Sequence, residues 1–201
     1  MGHSLLQPVS WQRMDDAVAK VRRRLLHASA SLRAAGVPYA VVGGNAVAAW
    51  VSRVDEAAVR NTRDVDILLR REDLPRAIVA MTEAGYSHRN ISSLGGGAMD
   101  VFLEGPEAKV RDAVHVLFAG EMVKPDALAV NASVDEAEEA GDFRLISLPA
   151  LVRMKLAAWR DKDRMHLRDL AGVGLLDPAL AAGLPPLLAE RLEFLLANPD
   201  E

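Results

Sequence analysis

A chain of 201 residues with 24 Lys and Arg against 28 Asp and Glu, 50% of it hydrophobic, has the balance of a globular protein, and its net charge of −4 argues against non-specific coating of nucleic acid. It contains no cysteine, which excludes a disulfide framework, a thiolate zinc site and a cysteine nucleophile, and leaves histidine to supply any soft ligand. No run approaches the roughly 18 consecutive apolar residues of a membrane span, and the opening MGHSLLQPVS lacks the basic start and apolar run of a signal peptide, so a cytoplasmic protein is expected.

The first predicted element is a helix. Ser10 can cap it, Trp11, Met14, Val18, Val21, Leu25, Ala28 and Leu32 recur at spacings of three and four, and Gly36 with Pro38 ends it. This stripe reads as a packing face, with a coiled-coil seam as the alternative. VPYAVV then reads as a short buried strand, NAVAAWVSRV as a helix, DVDILLR as a second strand, and DLPRAIVAMTEAG as a helix capped by Asp73 and closed by Gly85. Strands are expected from His88 to Ser92, from Met99 to Leu103 and in AVHVLFAG, followed by an acidic linker and a Leu-rich helical tail from about Leu148. The only biased tract is the short Gly95–Gly97 run.

Charge is unevenly spread. Residues 126–142 carry Asp126, Asp135, Glu136, Glu138, Glu139 and Asp142 without a base, whereas residues 144–168 carry seven bases against Asp161 and Asp163. The second stretch offers a local basic surface for phosphate contacts, or simply a solvated helical face.

Two patterns carry chemistry. Gly43-Gly44 stands where the first strand turns into a helix, and the unpaired N–H groups of such a corner form a cradle for phosphate oxygens, although a glycine pair there also serves as a plain tight turn. Neither a dinucleotide fingerprint nor a P-loop is present. Asp64 and Asp66, two apart on a strand, point to one face and can share a divalent cation. Asp161-Lys162-Asp163 repeats the spacing, but in a probable helix, where two residues apart diverge. Lys155 falls in the middle of an apolar stripe made by Leu148, Leu151, Val152 and Trp159. It either snorkels its charge to the edge or extends to a ligand. Arg160 leaves that stripe and suits the end of a helix.

Gly43-Gly44 after a strand, a helix, and then Thr62-x-Asp64-x-Asp66 opening a second strand resemble the signature of the nucleotidyltransferase superfamily that includes DNA polymerase beta. The form from Arg60 to Asp66 is most similar to the AbiEii-type toxin nucleotidyltransferases, and Lys155, Arg160 and Asp169-Leu170 take the places of that group's helical residues. The resemblance implies an α+β fold, with a mixed-sheet nucleotidyltransferase core at residues 1–143 and an appended C-terminal helical region at 144–201. It implies transfer of a nucleoside monophosphate from a nucleoside triphosphate to an acceptor hydroxyl on RNA, a tRNA end or protein, with Mg²⁺ or Mn²⁺ as cofactor and a toxin–antitoxin setting with an antitoxin partner. Asp64, Asp66 and Lys155 would be catalytic. Gly43, Gly44, Asn45, Thr62, Lys155 and Arg160 would bind nucleotide. The family's third carboxylate is replaced by His115, which would join Asp64 and Asp66 as a metal ligand, unless Asp100 completes the site from a strand beside Asp64. The alternative is a degenerate module that binds nucleotide or a partner protein without turnover.

Overall fold

Alternating apolar side chains decide which way each strand of this chain faces. A computed structural model describes residues 8–92, 98–105, 108–122 and 127–199; the Gly95–Gly97 run lies outside them. The strands are β1 (Tyr39–Val42), β2 (Val65–Leu69), β3 (Tyr86–Ser92), β4 (Ala98–Glu104), β5 (Val114–Phe118), β6 (Ala137–Glu139) and β7 (Arg144–Ile146). They form a seven-stranded sheet in the order β3-β4-β5-β2-β1-β7-β6. The β2–β5 and β1–β7 pairs are parallel and the other pairs antiparallel, so the expected mixed sheet is the one found.

One face of the sheet gathers Tyr39, Val41, Ile67, Leu69, Val114 and Val116 against α1 (Trp11–Ala34) and α3 (Leu74–Glu83). The other gathers Ala40, Val42, Leu68 and Leu145 against α2 (Gly43–Ser52), α4 (Leu148–Ala158), α5 (Asp161–Gly172) and α6 (Pro186–Ala197). This is the period of two expected of a sheet covered on both sides. No helix among the described residues is long and apolar enough to cross a membrane.

Several elements differ from the sequence reading. In α1 the Ser10 side chain accepts from the Arg13 amide at 3.3 Å as expected, but of the apolar stripe only Leu25, Ala28 and Leu32 are buried, while Trp11, Met14 and Val18 are exposed. A helix of 24 residues spans about 36 Å, longer than the strands beneath it, so its first half runs past the sheet. Asp73 makes no side-chain cap to α3 and instead accepts from Arg76 at 3.2 Å. The acidic stretch is not a plain linker. It contains edge strand β6, and its carboxylates pair with bases from elsewhere: Asp135 with Arg70 at 2.7 Å, Glu136 with Arg153 at 2.8 Å, Glu138 with Arg53 at 2.7 Å and Glu139 with Arg33 at 2.9 Å. Strand β7 occupies the start of the region expected to be helical, and helices begin at Leu148. Three residues are too few for a period of two to stand out.

Candidate functional site

Asp66 lies at the centre of the sheet, flanked by Val42 on antiparallel β1 and His115 on parallel β5. Its side chain points to the face covered by α2, α4 and α5, and Asp64, two residues earlier, shares that direction. Both line a cavity of about 250 Å³ with Gly43, His115, Lys155 and Arg160. Six of the expected site residues therefore meet in one cleft. Burial opposes charge on Asp66, but the His115 ring, Lys162 and Lys155 together outweigh it and hold the carboxyl below its ordinary value.

The glycine corner has a specific geometry. The helix begins at the glycines themselves, and Gly43 takes φ +68°, a left-handed conformation that favours glycine. A Cβ at Gly43 would stand 2.7 Å from Cγ and 2.8 Å from Cβ of Asp66, so only a hydrogen lets strand and helix approach this closely. No side chain caps the start of α2, which leaves its first N–H groups for an anion. Gly44 is buried against Thr62, whose Oγ1 would lie 2.8 Å from an added Cβ. Thr62 thus packs the loop onto α2 rather than lining the cavity. Asn45 is likewise turned to the protein, its amide donating to the Asp64 carbonyl at 2.6 Å and fixing the entry to β2. Arg60 anchors the same loop to α5 through two 3.0 Å hydrogen bonds to Asp169.

His115 differs from its expected role. Its Nδ1 stands 3.4 Å from Oδ1 of Asp66 and its Nε2 3.1 Å from the Val110 carbonyl. With acceptors at both nitrogens the ring's pKa is raised, first by the hydrogen bond to Asp66, against the opposing effect of burial. The ring therefore supports Asp66 from the wall of the cavity, with acceptors at both nitrogens. Asp100 does not complete the site either. Strand β5 separates β4 from β2, and Asp100 is held by His88 at 2.7 Å and Asn90 at 3.1 Å. Among the described residues no group of three or more His, Asp or Glu is placed to hold a metal ion.

Lys155 is buried as its position in the apolar stripe requires, and its Nζ meets Asp163 at 3.0 Å on the next helix. Burial lowers its pKa more than Asp163 raises it. Arg160 reaches the same carboxylate at 2.6 Å, and this bond raises its pKa. Burial works against ionised Asp163, but Arg160 and Lys155 hold it below the usual range. Asp161 and Asp163 diverge as expected, the first exposed beside Arg164 and the second buried. The corner between α4 and α5 turns on Trp159, a non-glycine residue at φ 49°. It brings Lys162 within 3.9 Å of Oδ2 of Asp64.

Asp163 and Lys162 were not foreseen as site residues. In sequence the D-K-D run stands out only as a carboxylate pair, and helical spacing says nothing of what a side chain meets across a helix corner. Most of the other bases in 144–168 are also paired internally, Arg144 with Glu139 and Arg153 with Glu136, so the expected basic surface is much reduced.

No family model and no curated protein matches the chain. Among solved structures it is similar to ANT(2'')-Ia in complex with adenylyl-2''-tobramycin, with 17% identity, 90% of this chain and 97% of that one covered, and a TM-score of 0.50. It is also similar to an antigenic nucleotidyltransferase-like protein from Paracoccidioides brasiliensis, with 16% identity, 90% and 88% covered, and a TM-score of 0.49. At 17% identity this likeness is one of fold alone: the chain shares the fold of ANT(2'')-Ia.

Proposed function

We propose that this chain is a metal-dependent nucleotidyltransferase that moves a nucleoside monophosphate from a nucleoside triphosphate to an acceptor hydroxyl. The observation that carries the reading is one cavity that joins Asp64 and Asp66 on one face of the sheet, the glycine start of α2 beside them, and Arg160 and Lys162 opposite. Anionic and cationic walls facing across such a cleft suit a triphosphate that arrives with a divalent cation.

The residues fit that cation. Two carboxylates on one side form a hard oxygen donor set, and the missing Cβ of Gly43 keeps the Asp66 carboxylate clear. Mg²⁺ or Mn²⁺ held by Asp64 and Asp66 would offset phosphate charge and lower the pKa of the acceptor hydroxyl. The first N–H groups of α2 would hold phosphate oxygens. Lys162 and Arg160 would stabilise the negative charge of departing pyrophosphate. Lys155 would act mainly by fixing Asp163, and through it Arg160. Asn45 and Thr62 would position the loop that carries Asp64. The acceptor oxygen would bond to the α-phosphorus as the bond to the β-phosphate breaks, with pyrophosphate leaving and the hydroxyl proton passing to water.

ANT(2'')-Ia is described with an adenylylated aminoglycoside. Here an RNA end is the acceptor that the resemblance to toxin nucleotidyltransferases implies, since Arg160 and Lys162 are engaged by Asp163 and Asp64 and form no free basic surface. Calorimetric titration of nucleoside triphosphate with Mg²⁺ or Mn²⁺ tests the site. The Asp64→Asn, Asp66→Asn double variant should lose cation-dependent affinity by at least tenfold, and unchanged affinity would contradict the reading. The replacement of a third carboxylate by His115 favours a second reading, a module that binds nucleotide without turnover; binding by the parent without release of pyrophosphate would support it.

A further inference from the structure

A second cavity, of about 500 Å³, opens on the α1 side of the protein where that helix meets the end of β4. Its wall carries Lys20, Arg23 and Arg24 from α1 and Lys109 from the segment before β5, against the carboxylates of Glu104 and Asp112. Among the described residues four bases face two acids, an excess of positive charge.

Arg24 makes this more than a patch of surface bases. Only 3% of it is exposed, yet its Nε and Nη1 are buried with no hydrogen-bond partner among the described residues. The nearest carboxylate oxygen, on half-exposed Glu104, is 3.6 Å from Nε, an ion pair too long to be a good hydrogen bond. Burying guanidinium N–H groups without acceptors is costly. The fork geometry of that group matches phosphate oxygens, and neighbouring lysines add charge without demanding a fixed direction. From the cavity, the charge excess and the unsatisfied guanidinium we infer that this is a binding site for a phosphate oxyanion, distinct from the proposed nucleotide cleft and independent of whether nucleotide transfer takes place. The oxyanion belongs either to a free phosphate compound or to the phosphodiester chain of a polynucleotide.

The two sources separate in a titration. Inorganic pyrophosphate and a short single-stranded RNA are each titrated, at constant ionic strength and without divalent cation, into the full chain and into two variants. The first, Arg23→Ala with Lys109→Ala, changes side chains that the fold does not depend on; the second is Arg24→Met. Each variant should weaken binding of at least one probe by tenfold or more. Whichever probe binds should raise the thermal midpoint of the parent and not that of Arg24→Met. Loss confined to RNA assigns the site to a polynucleotide, and loss for pyrophosphate alone assigns it to a free phosphate compound. Should both probes bind the Arg23→Ala, Lys109→Ala variant as tightly as the parent, or bind neither protein, the inference fails. Affinity of the triphosphate with Mg²⁺, measured in parallel, should be unchanged in that variant, which keeps this result separate from the fate of the nucleotide site.

Discussion

Gly43 is the residue on which the approach of helix and strand depends. Gly43→Ala would place a methyl group against the Asp66 carboxylate and hold alanine at φ +68°, each unfavourable by itself. Denaturant unfolding should show a loss of about 1–3 kcal/mol, together with weaker nucleotide binding; a variant as stable as the parent would mean the corner relaxes freely. Asp66 sits among His115, Lys155 and Lys162, so its charge is supported rather than repelled. Asp66→Asn should therefore lower stability, by about 1 kcal/mol, rather than relieve repulsion between two carboxylates. The D-x-D pattern and the glycine pair were legible in the sequence because each acts through local geometry, a period of two and a positive φ. The partners of His115 were not, since Val110 and Asp66 reach it through a loop and a strand register that spacing does not encode.

At the scale of elements, the α4–α5 corner concentrates the buried charge. Asp163 is the shared partner of Lys155 and Arg160, so losing it strands two cations, whereas losing Lys155 leaves Asp163 paired with Arg160. Asp163→Asn should cost about 3 kcal/mol or more, and Lys155→Met clearly less; the reverse order on urea unfolding would refute the arrangement. On the same helix His166 is 8% exposed, and its pKa is pushed down to about 4 by burial first and by Lys155 second, with Lys162 adding to that and Asp163 and Asp169 opposing it. A histidine whose folded value lies below its unfolded value contributes stability that is present above about pH 6.5 and lost as the pH falls through about 4. Stability should fall by roughly 1–3 kcal/mol across that window, and His166→Leu should flatten this part of the curve. An equal fall in the variant would place its cause elsewhere. The lysine in its apolar stripe was visible from helical periodicity, but its partner lies beyond a turn at Trp159 and could not be read from either helix alone.

Across the whole molecule, the order of strands and helices was largely legible because most elements are bounded by glycine, proline or a capping residue. The missing pieces were the short strands β6 and β7, whose pairing with each other and with β1 is a long-range property. Charge blocks misled for the same reason. The acidic and basic stretches look like separate surfaces in sequence, yet in the fold Glu136 meets Arg153 and Glu139 meets both Arg33 and Arg144, so much of each block neutralises the other or α1. The cleft is paired as well, Lys162 with Asp64 at 3.9 Å and both Lys155 and Arg160 with Asp163.

The cleft is proposed to transfer a nucleotide. The most direct measurement supplies each nucleoside triphosphate, labelled at the α-phosphate, with Mg²⁺ or Mn²⁺ to the pure chain and total RNA or protein, and follows label in the acceptor together with released pyrophosphate. Label is expected in the RNA fraction for the parent, with a loss of at least 100-fold in the Asp64→Asn, Asp66→Asn variant, about 2.7 kcal/mol of transition-state stabilisation. Absence of label with every triphosphate and acceptor, or equal label from the variant, would contradict it.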